Sequence, residues 1–163
     1  MTVQQVLTLT GSYSAKPVPQ FFPPRKDKTQ HAGPLSSSGL HAEGGKRQAL
    51  VVDDVADVTD MLSVLLSHAG YDVATAASAN EALTLARSRQ FDVIISDIGM
   101  PYMNGYQLAR EIRALPEYES IPMVAVTGYS MFNDRQQSLK AGFTAHMTKP
   151  IDPQALLELI EQL

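Results

Sequence analysis

From Gln48 onward the chain alternates between two incompatible hydrophobic periods, and this alternation limits the fold more than any other feature of the sequence. Five short runs rich in branched apolar residues read as strands: "QALVVD", "YDVATA", "FDVIIS", "PMVAVT" and "TAHMT". Helical patterns separate them. Val55–Ala69 sets Val58, Leu62, Leu65, Leu66 and Ala69 on one face, and Gly70 ends it. Ser78 and Glu81 form a capping-box pattern for a helix running to about Arg89. Further helices are predicted over Gly105–Leu115, over 131–141, and from Pro153, where Leu156, Leu157, Ile160 and Leu163 share a face. Strands alternating with helices form a parallel sheet covered on both faces, joined by right-handed crossovers. The expected fold is therefore α/β: a doubly wound, five-stranded parallel sheet with five helices.

Such sheets bind ligands beyond the carboxyl ends of their strands, where the strand order reverses. In the order 2-1-3-4-5, the first and third strands are neighbours at that point. Asp53 and Asp54 end the first strand, Asp97 ends the third, Thr127 ends the fourth and Lys149 follows the fifth. All five polar residues are thus expected on one edge. Two like charges about 4 Å apart repel by about 4 kcal/mol at an effective dielectric near 20. Three carboxylates therefore require cations, and Lys149 with a divalent ion would balance them. Carboxylates, a carbonyl and water suit Mg²⁺. A single Asp at a strand end commonly just caps a helix or turns a loop; three of them, with Thr and Lys on neighbouring strands, call for a site.

The same residues carry a family resemblance. "LVVDD", "VIISDIGMPYMNGYQL", "VAVTGYS" and "TKP", with 30 residues from Asp97 to Thr127 and 22 from Thr127 to Lys149, are similar to the receiver domain of two-component response regulators. The match covers about residues 48–163, and "AGFTAHMTKPID" looks more like receivers attached to hybrid histidine kinases. The resemblance implies the flavodoxin-like form of the sheet order above. It implies that Asp97 accepts a phosphoryl group from a histidine kinase or histidine phosphotransfer domain, and that Mg²⁺ is held by Asp53, Asp54, Asp97 and the Gly99 carbonyl. It implies that Thr127 and Lys149 grip the phosphoryl oxygens and that a downstream protein docks on the last helix–strand–helix face. It also suggests a cis Lys149–Pro150 bond. Gly128 is expected to leave space beside the phosphoryl group. One position departs from the pattern: three residues before Lys149, where receivers commonly carry Tyr or Phe, stands His146. It is either a surface histidine at a strand end or a titratable switch residue.

The chemistry suits these residues, since a carboxylate is a competent nucleophile for phosphoryl transfer, which needs mainly positioning and charge neutralisation. Two other readings stand beside it: a receiver-like scaffold that is never phosphorylated, and a phosphatase with an aspartyl nucleophile. The phosphatase would need a second acid near Asp97, yet residues 98–101 are Ile, Gly, Met and Pro. The expected role is that of a switch, not an enzyme.

Residues 1–47 hold six Lys/Arg and two Asp/Glu, the remainder seven and fifteen. An acidic domain thus carries a basic tail, and a sequence pI near 5.5 argues against nucleic acid as the main partner. The tail contains Pro17, Pro19, Pro23, Pro24 and Pro34, shows no sustained periodicity, and is expected to be disordered. Phe21 and Phe22 are either incidental aromatics or a small docking spot. The absence of cysteine and of any long apolar run fits a cytoplasmic chain without a membrane span.

Overall fold

A computed structural model of the chain describes residues 20–21, 45–128 and 134–163. In chain order the elements are β1 (Gln20–Phe21), β2 (Arg47–Val52), α1 (Ala56–His68), β3 (Tyr71–Ala76), α2 (Ala79–Ser88), β4 (Val93–Asp97), α3 (Gly105–Arg113), β5 (Met123–Thr127), α4 (Asp134–Ala141), β6 (Ala145–Thr148) and α5 (Pro153–Glu161). A 3₁₀ turn, Pro116–Tyr118, links α3 to β5.

The sheet order is β3-β2-β4-β5-β6-β1. Its first five strands are parallel and, counted among themselves, follow the expected 2-1-3-4-5 order. The five-stranded parallel sheet is as expected, and a short sixth strand is added at its edge. β1 comes from the tail and pairs antiparallel with β6, setting Gln20 opposite His146 and Phe21 opposite Ala145. The tail was expected to lack structure throughout, and at these two residues it has backbone pairing instead. A two-residue strand carries no periodicity, so its pairing is not readable from local pattern. Phe22 and the rest of the tail up to Gly44 lie outside the described residues, as do the first three residues expected in the fourth helix.

The strands bury side chains on both sides. Ala49, Val51, Val93, Ile95, Val124, Val126, Ala145 and Met147 pack with Leu62 and Leu66 of α1 and Leu156, Leu159 and Ile160 of α5. Leu50, Val52, Ile94, Met123 and Ala125 pack against α2, α3 and α4 on the other face. The near-continuous apolar character of β2, β4 and β5 follows from this double coverage.

The helix starts have local causes. Ser78 accepts from the Glu81 amide at 3.2 Å, while the Glu81 carboxylate reaches back one residue further than a capping box requires and accepts from the Ala77 amide at 2.8 Å. Asn104 and Gln107 form a full reciprocal capping box at α3, a signal the periodicity reading passed over. Asp152 caps α5, with Pro153 in its first turn as expected.

Candidate functional site

The carboxyl ends of β2, β4, β5 and β6 bring together most of the residues singled out above. Asp53 directly follows β2 and is 2% exposed; Asp97 ends β4 and is 5% exposed. The Lys149 ammonium bridges them, donating to Asp53 Oδ2 at 2.8 Å and standing 2.8 Å from Asp97 Oδ1. The other Asp53 oxygen accepts from the Val55 amide at 2.9 Å, so this carboxylate also fixes the turn into α1. Asp53 therefore both pairs with Lys149 and turns the chain into α1.

Lys149 is placed by the backbone. Its amide donates to the Thr127 carbonyl at 2.7 Å, extending the β5–β6 register by which Thr127 faces Thr148. The Lys149–Pro150 bond is cis. Asp97 is fixed in a similar way: the next amide, of Ile98, donates to Val126 at 2.9 Å. Thr127 is buried at the end of β5, on the strand adjoining Asp97.

The electrostatics follow from burial. Desolvation pushes the Asp97 carboxyl above its ordinary range; the Lys149 hydrogen bond and charge pull it back only in part, and the Asp53 charge adds to the rise. Burial works against the Lys149 charge, but hydrogen bonds to Asp53 and Asp97 and their charges outweigh it and hold its pKa above that of an ordinary lysine. Two buried carboxylates thus share one ammonium and keep a net negative charge.

Asp54 is not drawn into this arrangement; it is exposed. Among the described residues no three His, Asp or Glu side chains are gathered tightly enough to hold a metal ion, and the Lys149 ammonium stands between Asp53 and Asp97. The donor chemistry nonetheless fits a hard divalent cation: carboxylate oxygens, residual negative charge and a neighbouring exposed acid. Gly99 lies against the site, where its amide hydrogen-bonds Asp97 and a Cβ would stand 3.3 Å from Asp97 Oδ2. Gly128 is exposed, and a Cβ there would meet nothing within 4 Å, so the space beside it is already open.

His146 is 7% exposed, which rules out the surface reading. Ala145 and Met147 face α1 and α5, so alternation along β6 puts His146 on the opposite face, beside Ala125 and two residues in register from Thr127.

Gly105 is a site residue that sequence reasoning assigned only to a helix. A Cβ on it would lie 2.3 Å from the Asp97 carbonyl oxygen and 2.8 Å from Ile98 Cα, while its amide donates to Ile98 at 3.0 Å. The start of α3 is thereby pressed onto the end of β4 at Asp97. Gly105→Ala is expected to cost roughly 1–3 kcal/mol through forced backbone displacement, measured by urea denaturation. Unchanged stability would show that the strand end yields freely.

Comparison with known proteins agrees with this geometry. The pattern of the family described as response regulator receiver domain matches residues 49–161. An uncharacterised 14.6 kDa protein of Leptolyngbya boryana is 41% identical over 113 residues, 69% of this chain and 86% of that protein. The transcriptional regulatory protein ZraR of Salmonella typhimurium is 36% identical over 118 residues, 72% of this chain; the match spans about a quarter, 26%, of that regulator. Among solved structures, the chemotaxis protein CheY4 of Vibrio cholerae superposes with a TM-score of 0.70 at 35% identity, covering 72% of this chain and 98% of that one. The receiver domain of a sensor histidine kinase from Pseudomonas aeruginosa gives 0.67 at 27% identity, covering 72% and 97%, and holds a magnesium ion coordinated in its active-site cleft. The chain belongs to the response regulator receiver domain family, the receiver class of two-component signal transduction. No described helix is long and apolar enough to cross a membrane.

Proposed function

We propose that this chain is a phosphorylation switch in which Asp97 takes a phosphoryl group from the phosphohistidine of a histidine kinase or phosphotransfer protein in the cytoplasm. The observation that carries the reading is the Lys149 ammonium held 2.8 Å from both of the buried carboxylates Asp53 and Asp97, with Thr127 on the adjoining strand. In the transfer, an Asp97 carboxylate oxygen forms a bond to phosphorus as the phosphorus–nitrogen bond of the donor breaks. The imidazole leaves with the electron pair. Burial raises the Asp97 pKa and so makes its carboxylate more basic than an exposed one, while Lys149 at 2.8 Å favours the ionised form. Lys149 compensates charge on the transferred group. Thr127 supplies a hydroxyl donor from β5.

Asp53, Asp54, Asp97 and the Gly99 carbonyl would hold Mg²⁺, which when bound supplies charge neutralisation at the phosphoryl oxygens. Asp54→Asn should weaken Mg²⁺ binding roughly tenfold or more, because hard-ion sites depend on their carboxylate count. Isothermal calorimetry reads this directly, and equal affinity would remove Asp54 from the ligand set.

The switch then acts on proteins, not on a small-molecule substrate. The face built from α4, β6 and α5 is the proposed partner surface, because β6 leads directly into Lys149. His146, buried on that strand, is the proposed switch residue. The test is loading by acetyl phosphate with Mg²⁺, followed by intact mass. One added phosphoryl group per chain is expected. No added mass would favour an unphosphorylated scaffold.

A further inference from the structure

Arg113 ends α3, far along the chain from the carboxylates, and its guanidinium is part-buried where α3, the 3₁₀ turn and the end of α4 meet. Nε donates to the Gly142 carbonyl at 2.9 Å, Nη1 to the Tyr118 carbonyl, and Nη2 to Thr144 Oγ1 at 3.4 Å. These acceptors are all neutral, and burial works against the charge. Helix ends hold it instead. Gly142 follows α4, Tyr118 closes the 3₁₀ turn, and Arg113 stands in the last turn of α3. Carbonyls at a helix C-terminus lack partners within the helix and carry the negative end of its dipole, so a guanidinium is favoured among them. Its planar fork suits several fixed acceptors at once, as a lysine ammonium does not. Gly142, at φ 106°, makes room for this side chain: a Cβ there would stand 2.7 Å from Arg113 Cγ.

We propose that Arg113 is a positioning residue for the Lys149–Asp97 pair, acting through β6. Thr144, the residue before β6, exchanges two hydrogen bonds with Met123 at the start of β5. Its amide donates to the Met123 carbonyl at 2.8 Å, and its hydroxyl oxygen accepts from the Met123 amide at 3.0 Å. Arg113 binds that same hydroxyl and the Gly142 carbonyl, so it fixes the chain just before the strand begins. At the other end the Lys149 amide pairs with the Thr127 carbonyl at 2.7 Å. β6 has four residues and is held at both ends. Close-packed elements transmit strain, so a displacement at its start is passed on to the ammonium. α3 closes the circuit. Its first residue, Gly105, lies against the Asp97 carbonyl, and its last, Arg113, lies against the entrance to β6. One helix thereby spaces the acid and the ammonium relative to each other.

The test compares the full chain with Arg113→Met, which keeps a stem against Gly142 and removes the fork, and with Arg113→Lys, which keeps the charge without the fork. Amide hydrogen exchange at residues 144–149 should quicken by about tenfold or more in Arg113→Met, with residues 50–52 unchanged. Arg113→Lys should fall nearer to Arg113→Met than to the wild type, and it carries the comparison if Arg113→Met does not fold. With acetyl phosphate and Mg²⁺, the loading rate should fall by about tenfold in both variants, as a misplaced ammonium requires. The loading measurement rests on Asp97 as the phosphoacceptor; the exchange measurement uses no phosphoryl donor, so the two readings can fail apart. Equal exchange in all three chains, or exchange that rises evenly through the sheet, would overturn the anchor at β6. Full recovery in Arg113→Lys would overturn the need for the fork. Quickened exchange with loading unchanged from the wild type would overturn the positioning of Lys149.

Discussion

Asp97→Asn is expected to abolish phosphoryl loading completely and, at neutral pH, to make the domain more stable. The first effect is chemical: the amide keeps the shape of the side chain but lacks the nucleophilic oxygen. The second follows from burial. Asp97 is titrated upward by desolvation, against the pull of Lys149. A carboxyl whose folded pKa is raised favours folding fully only below its unfolded pKa, and that advantage is lost as pH rises through the folded value. Burying Asp97 in its ionised form is thus a net cost. Asparagine removes it and leaves Lys149 with Asp53 as a balanced pair. The gain should be on the order of 1 kcal/mol, and it should vanish as the pH falls below the ordinary aspartate value of 3.8. Urea denaturation of both chains between pH 3 and 8 measures this. A less stable Asp97→Asn chain at pH 7 would mean that the ion pair outweighs the burial of its carboxylate.

Lys149→Met should act in the opposite sense. Without the ammonium, Asp53 and Asp97 remain buried as like charges with no cation between them. Removing one partner from a fully buried pair costs about 3–5 kcal/mol; because Lys149 keeps part of its contact with water, roughly 2 kcal/mol is the expected loss at pH 7 in a chelator. The loss should shrink on acidification, because Asp97, its pKa raised further in the variant, takes up a proton and relieves the repulsion. Millimolar Mg²⁺ should restore part of the stability. A variant as stable as the wild type at pH 7 in chelator would show that the two carboxylates do not need the lysine.

The two sets of effects trace back to what the sequence makes visible. The alternation of strand and helix patterns foretold the parallel sheet, because each period is a local property of six to fifteen residues, while its strand order came with the family resemblance. The convergence of Asp53, Asp97, Thr127 and Lys149 was legible because topology alone takes strand ends to one edge. Other features depend on contacts that no local pattern records. Lys149 meets Asp53 across 96 positions, and only the folded geometry shows one ammonium serving both acids. Asp54 is adjacent to Asp53 in sequence yet exposed, because successive residues leaving a strand diverge. Gly105 reads as a poor helix starter until its closeness to the Asp97 carbonyl is seen. His146 could be read as a surface residue or as a switch residue, and only the folded chain shows that it is buried. The tail strand itself is two residues between prolines, below the length at which any period can be counted.

The central claim is that Asp97, and no other residue, carries the phosphoryl group. The most direct measurement is chemical trapping on the unaltered chain. After loading with acetyl phosphate and Mg²⁺, borohydride reduces an aspartyl acyl phosphate to homoserine, and peptide mass spectrometry locates the change. The account predicts homoserine at position 97 alone, and only in the loaded sample. Homoserine at position 53 or 54, or none in a sample whose intact mass shows a phosphoryl group, would contradict it.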